Sequence, residues 1–144
     1  SLTLDRGAAL NLPHPEGKWV VLYFYPKDDT PGCTKESIGF SEKLDEFEAL
    51  DTMIVGISKD SLKKNEKFRT KYDLTVELAS DDDGSICELF GTWVEKSMYG
   101  KTYMGIERAT FLIDQNGTVR QAWNKVKVPG HVEAVLEELK SLKS

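Results

Sequence analysis

The sequence predicts an α/β domain in which a central mixed sheet is flanked by helices. Three observations carry that expectation. Two short runs, 18–25 (KWVVLYFY) and 52–58 (TMIVGIS), are rich in β-branched and aromatic residues with little polar alternation, the pattern of strands covered on both faces. Between them, Ser37, Phe40, Leu44 and Phe47 recur at helical spacing within 33–49. Further on, 109–114 (ATFLID) and 118–123 (TVRQAW) flank Asn116-Gly117, a hairpin signal because both residues tolerate positive φ.

The elements follow in order. Residues 1–12 read as an irregular or short strand segment and 14–17 (HPEG) as a turn. Strand 18–25 leads to a helix over 33–49, then strand 52–58, then a helix that Asp60-Ser61 opens and that runs to about Tyr72. Residues 75–79 read as a short strand, and Asp81-Asp82-Asp83-Gly84 starts a short helix carrying Cys87. The hairpin comes next. After Pro129-Gly130, Val132, Val135, Leu136, Leu139 and Leu142 form the apolar stripe of a final helix. Helices between buried strands imply parallel crossovers, and the hairpin adds an antiparallel strand. A β-α-β unit followed by β-β-α is the thioredoxin-like arrangement; a doubly wound fold would continue with β-α units where this chain has a hairpin. With no repeat and no Gly/Ser linker, 1–144 reads as a single domain.

Bulk properties narrow the function classes. A chain of 144 residues can bury a real core, and 40% hydrophobic with 30% charged residues is a globular balance. A net charge of −5 weighs against nucleic acid or an anionic membrane as partner. The longest apolar run, 19–25, is too short to span a bilayer. No signal peptide is visible and the first residue is not Met, so a processed or truncated start is expected. Two cysteines, Cys33 and Cys87, are too few for a disulfide scaffold, and with His14 and His131 they make no zinc-type spacing. A reducing, cytoplasmic setting with free thiols is the expectation. No Gly-rich phosphate loop suggests a nucleotide, no Ser-His-Asp arrangement is present, and neither histidine lies near a nucleophile in sequence. No cofactor and no metal are expected. The Asp81–Gly84 run lacks the remaining ligands of a calcium loop and reads as a turn and helix cap. Lys96, Lys101, Lys125 and Lys127 read as surface charge; Trp93, Tyr99 and Tyr103 fit a pocket mouth or core packing equally well.

The segment Phe24-Tyr25-Pro26-Lys27-Asp28-Asp29-Thr30-Pro31-Gly32-Cys33-Thr34-Lys35-Glu36 lies between the first buried strand and the first helix. In open α/β sheets ligands bind beyond the C-terminal strand ends, where this loop sits. Thr30 suits the N-cap and Pro31 the first helical position. Cys33 then falls in the first turn, where unpaired backbone N–H groups and the helix dipole favour an anion and so a thiolate. Gly32 leaves space beside the sulfur, and Pro26, lacking an N–H, can wall it from water. The plain alternative, a small buried apolar cysteine after a turn, fits this Pro- and Gly-rich helix start less well.

Pro26-x-x-x-Thr30-x-x-Cys33 resembles the peroxiredoxin signature, and the string FYPKDDTPGCTKE resembles the bacterioferritin comigratory protein, or peroxiredoxin Q, class. The resemblance continues through Phe90-Gly91-x-Trp93, 95–101 (EKSMYGK) and Gly105-Ile106-x-Arg108-x-Thr110-Phe111-Leu112-Ile113-Asp114, and covers nearly the whole chain except the usual Ala-Pro-x-Phe opening. It implies a thiol peroxidase that reduces hydrogen peroxide and organic hydroperoxides. Cys33 would be the peroxidatic cysteine, passing through a sulfenic acid. Thr30 would hydrogen-bond the thiolate or the peroxide, Pro26 would shield the sulfur, and Arg108 would stabilise the thiolate and polarise the O–O bond. Gly32 would belong to the peroxide site. Glu36 would orient Arg108 or cap the helix start.

Members of this class place a resolving cysteine five residues after the peroxidatic one, here Ile38, or about 36 residues on, here near Arg69. Cys87 is left, and its neighbours Ile86 and Leu89 favour a structural role. A disulfide needs Cα atoms within about 7 Å, so pairing Cys33 with Cys87 would require local unfolding. The expectation is a one-cysteine mechanism in a monomer, with the sulfenic acid reduced by an external thiol, thioredoxin or glutathione with glutaredoxin; an intermolecular disulfide is the alternative. A thiol–disulfide oxidoreductase would need C-x-x-C, and position 30 is Thr. A redox sensor would not turn over repeatedly.

Overall fold

The structure, a computed structural model, describes residues 2–3, 9–10, 14 and 16–143, with residues 2–3, 9–10 and Met98 described in their backbone alone. At the start, β1 (Leu2–Thr3) pairs antiparallel with β2 (Ala9–Leu10). The rest of the expected irregular segment 1–12 lies outside the described residues. The turn expected at 14–17 is closed by the Gly17 N–H donating to the His14 carbonyl at 2.9 Å.

The main sheet is built from β3 (Trp19–Phe24), β4 (Thr52–Ser58), β5 (Glu77–Ser80), β8 (Ala109–Ile113) and β9 (Val119–Trp123), in the spatial order β5-β4-β3-β8-β9. β3 runs parallel to β4, β4 parallel to β5, and β8 antiparallel to both β3 and β9. This is the mixed sheet the sequence predicts. All six residues of β3 are buried, as a strand covered on both faces requires. Strand β4 occupies the predicted 52–58, and β5 lies two residues later than its predicted start.

Helix α1 (Pro31–Glu42) and helix α2 (Leu44–Glu48) divide the predicted 33–49 helix at Lys43, whose ψ of 3° takes the chain out of the helical region. The break leaves the apolar face intact, since Phe40, Leu44 and Phe47 still meet one core. Helix α3 (Leu62–Tyr72) is capped by Ser61, whose hydroxyl accepts from the Lys64 N–H at 3.2 Å. Helix α4 (Ser85–Leu89) is held by the Asp81 carboxylate, which accepts from the N–H groups of Ile86 (3.1 Å) and Cys87 (2.7 Å). Helix α5 (His131–Lys143) closes the chain. Among the described residues no helix is long and apolar enough to cross a membrane.

One element has no counterpart in the sequence reading. β6 (Trp93–Met98) and β7 (Lys101–Ile106) form a separate antiparallel hairpin. Tyr99 and Gly100 make its two-residue turn with φ of 52° and 77°, the positive pair of a type I′ turn. A non-Asn residue at the first turn position hides that signal. The Tyr99 and Tyr103 side chains are exposed, whereas Trp93 packs against the core.

Side chains alternate across a strand, and the sheet separates two apolar clusters. One face collects Trp19, Val21, Tyr23 and Tyr25 from β3 and its C-terminal extension, with Cys33, Phe40, Phe47, Phe68 and the inner stripe of α5. The other collects Val20, Leu22 and Phe24 with Val55, Ile57, Phe111 and Cys87. Gly56, opposite Tyr23, makes room on the first face: a Cβ there would stand 2.5 Å from Tyr23 Cζ. The Tyr23 hydroxyl thereby reaches under α1 to the Ser37 hydroxyl at 2.9 Å, which ties the helix carrying Cys33 to the sheet.

Candidate active site

The loop after β3 is fixed before α1 begins. Asp28, buried, accepts from the Tyr25 hydroxyl at 2.6 Å and from the Asn65 amide at 2.7 Å, while its own N–H donates to Asp60 at 2.7 Å. Burial pushes the Asp28 carboxyl up to about 6, against the pull of those two hydrogen bonds. Thr30 takes the N-cap position with extended backbone, and Pro31 the first helical position, as the sequence predicts. The Thr30 hydroxyl donates to the Lys27 carbonyl at 2.9 Å rather than capping the helix. Pro26 is exposed at the rim of the loop.

Cys33, in the first turn of α1, is 1% exposed. Arg108 arrives from the segment between β7 and β8, and its backbone is pinned by the Val126 N–H donating to its carbonyl at 2.9 Å. The guanidinium is a fork: Nη2 donates to Cys33 Sγ at 3.2 Å, and Nη1 to Glu36 Oε1 at 2.7 Å. Glu36, one helical turn beyond Cys33, is fully buried. Burial pushes its carboxyl up to about 7 even though Arg108 pulls the other way. Gly32 stands beside the fork, and a Cβ there would come within 3.1 Å of Arg108 Nη2.

Two further residues join the assembly without a sequence signal. His131, the first residue of α5, places Nε2 at 4.0 Å from Glu36 Oε2 and at 2.7 Å from the Thr110 hydroxyl on β8. Burial foremost, with the Arg108 charge, holds the imidazole down to about 4, so it is neutral at physiological pH. Glu36 Oε2 is buried with no hydrogen-bond partner among the described residues. Lys96, read from the sequence as surface charge, is instead half-buried on β6; desolvation foremost, then the neighbouring Arg108 charge, lowers its pKa. Cys33 and Glu36 lie 75 and 72 residues from Arg108 in the chain, and His131 a further element on, so only the fold brings them together.

Cys87 stands apart. It is fully buried in the cluster on the opposite face of the sheet from Cys33, and both cysteines are free thiols. Burial foremost, with the adjacent Asp81 carboxylate, pushes its thiol up to about 12. The other two positions considered for a resolving cysteine have work of their own: Ile38 packs against the core, and Arg69 donates to the Leu74 and Val76 carbonyls, each at 2.7 Å. Among the described residues no cluster of three or more His, Cys, Asp or Glu could hold a metal ion.

Comparison with known proteins agrees with this layout. The AhpC/TSA family model matches residues 1–122. Peroxiredoxin Bcp of Xanthomonas campestris is 47% identical over 140 residues, spanning 97% of this chain and 88% of its own length. Peroxiredoxin Bcp of Bacillus subtilis is 46% identical over 138 residues, spanning 96% and 88%. A solved structure of the Xanthomonas campestris bacterioferritin comigratory protein, studied for alkyl peroxide reduction, superposes with a TM-score of 0.94 at 45% identity, covering 99% of this chain and 91% of that one. The thioredoxin-like architecture read from the element order is thus the fold of a known structural class. The chain belongs to the AhpC/TSA family and, within it, to the Bcp, or peroxiredoxin Q, class of peroxiredoxins.

Proposed function

We propose that Cys33 is the peroxidatic nucleophile of this thiol-dependent peroxidase, that Arg108, Thr30, Pro26 and Gly32 complete its peroxide site, and that no cysteine of the chain resolves the product. The observation that carries the assignment is the 3.2 Å contact between Arg108 Nη2 and Cys33 Sγ at a buried helix start. Thiolate Sγ attacks one peroxide oxygen; the S–O bond forms, the O–O bond breaks, and negative charge develops on the departing oxygen. The guanidinium and the unpaired first-turn N–H groups of α1 are fixed donors at that point, and such preorganised donors lower the barrier. The Thr30 hydroxyl commits its proton to the Lys27 carbonyl. Its oxygen is therefore an acceptor for the peroxide O–H and not a donor to the thiolate, which favours the substrate-binding one of its two roles. Pro26 at the rim fits a shield over the entrance.

Peroxide is the substrate, and a thiol reductant returns the sulfenic acid to thiol. The proposed reductant is thioredoxin, or glutathione with glutaredoxin; the thiol displaces water from Cys33–SOH to give a mixed disulfide, which a second thiol cleaves. Placement of Cys87 across the sheet supports the one-cysteine route. A monomer in the cytoplasm is proposed on the family resemblance and the two free thiols. The test is single-turnover peroxide consumption by Cys33→Ser, which should be lost, followed by mass spectrometry of the wild type after one equivalent of hydrogen peroxide with a sulfenic-acid trap. Retained activity in Cys33→Ser would refute the nucleophile, and a Cys33–Cys87 disulfide would refute the one-cysteine route.

A further inference from the structure

We infer that Cys33 and Glu36 share a single proton across the Arg108 guanidinium, so that Glu36 gives up a proton when Cys33 is oxidised. The inference rests on Cys33 being the peroxide-reactive thiol. Its basis is a count of charges in a closed space. One guanidinium faces two buried acids, Cys33 Sγ at 3.2 Å and Glu36 Oε1 at 2.7 Å, with residue exposures of 1% and 0%. One cation compensates one anion. A second ionised group in the same pocket would be a buried charge without a partner, which is strongly unfavourable.

The other groups facing Glu36 do not supply that partner. His131 from α5 stands 4.0 Å from Oε2, is engaged by Thr110 and is neutral at physiological pH. Tyr23 from β3 carries no positive charge, and burial foremost keeps its phenol protonated. Lys96 from β6 exerts its charge on Arg108, Cys33 and Glu107 from a half-buried, partly solvated position. Oε2 itself has no hydrogen-bond partner among the described residues, so nothing there offsets the cost of a buried negative charge. Burial has already brought the Glu36 carboxyl up to about 7. With one guanidinium between them, an anion on one of the two groups disfavours a second anion on the other.

The consequence is a proton balance for the peroxide step. The thiolate is oxidised to sulfenic acid, the peroxide hydrogen stays on the new S–O–H, and the departing alkoxide or hydroxide needs one proton. Sulfenic acid is neutral, so the whole Arg108 charge returns to Glu36 and its carboxyl ionises. The proton released there equals the one the leaving oxygen takes up through solvent. Peroxide reduction then draws no net proton from the medium. Glu36 acts through Arg108 and is a positioning residue that also stores charge.

The test is a stopped-flow single turnover with hydrogen peroxide at pH 7 in weak buffer, with a pH indicator and the sulfenic acid quantified in parallel. The wild type should take up close to no proton per Cys33 oxidised, and Glu36→Gln close to one. Equal uptake in the two proteins, whether none or one, overturns the inference. A second measurement needs no variant: infrared difference spectra of wild-type protein labelled with 13C-glutamate, reduced against oxidised. A labelled protonated-carboxyl band should give way to a carboxylate band, and an unchanged labelled spectrum overturns the inference. If no sulfenic acid forms on Cys33 at all, the nucleophile assignment falls first and is recognised as such.

Discussion

Replacing Arg108 with methionine should slow the peroxide step by about a hundredfold to a thousandfold while the protein stays folded. Methionine keeps an unbranched stem and removes both arms of the fork. The arm at 3.2 Å from Cys33 Sγ is a fixed donor facing the sulfur proposed to react. Loss of one such donor costs about 3–4 kcal/mol of barrier, which is the stated range in rate. The arm at 2.7 Å from Glu36 sets the stability cost. Breaking a buried ion pair ordinarily destabilises by about 3–5 kcal/mol. Glu36 can avoid most of that, because its carboxyl sits at about 7 with Arg108 in place and rises further without it. At pH 6 it is largely protonated in both proteins and the difference is small. Above pH 7 Arg108 in the wild type compensates one buried anion that the variant leaves without a partner, and the gap widens by up to about 1.4 kcal/mol per pH unit. Stopped-flow single turnovers at pH 7, with urea unfolding at pH 6 and pH 8, measure both quantities. A folded variant within fivefold of the wild-type rate, or one destabilised equally at the two pH values, would refute the reasoning.

Three further substitutions separate the parts of the site. His131, held at about 4 in the fold, binds fewer protons than its unfolded counterpart between pH 4 and 6.5, so its contribution is lost as pH falls through that window. His131→Gln should therefore gain about 2 kcal/mol relative to wild type between pH 7 and pH 4.5 in chemical denaturation, and parallel curves would sink the assignment. In Gly32→Ala the new methyl meets the end of a flexible side chain at 3.1 Å, so the fold tolerates it while the guanidinium shifts. Peroxide consumption should drop about tenfold with the melting temperature unchanged or slightly raised, whereas loss of stability without loss of rate would contradict the geometry. Cys87→Ser replaces a fully buried thiol with a smaller, more strongly hydrated hydroxyl and should cost about 1–2 kcal/mol in urea unfolding, with the single-turnover peroxide rate within twofold of wild type. A tenfold slower rate would make Cys87 part of the chemistry.

Elements governed by local pattern were legible in the sequence. The strands at 52–58 and 109–113, the Ser61 cap and the stripe of α5 all follow from burial or capping chemistry written in consecutive residues. The break at Lys43 was not, because the apolar spacing runs through it and only backbone geometry marks the division. The 93–106 hairpin escaped because Tyr99 at the first turn position carries none of the usual positive-φ signal. Within the site, the helix-start chemistry of Thr30, Pro31 and Cys33 could be derived from residue types, while Arg108 was found only through resemblance to a family. His131 was out of reach: its link to Glu36 is a tertiary meeting of the start of α5 with α1, and nothing near it in the chain announces an acid.

The partition of the two thiols by the central sheet has a use in measurement. Cys87 is fully buried and its thiol is pushed up to about 12, so at neutral pH the folded molecule presents almost no reactive sulfur on that side. A bulky alkylating reagent then labels Cys87 only in molecules whose far side has opened, and the labelling rate counts those openings. Under the proposed assignment, Cys33 is the thiol that reacts with peroxide. One protein thus carries two clocks, one timing the chemistry and the other timing the loosening of the scaffold, and a destabilising substitution should speed the second without touching the first.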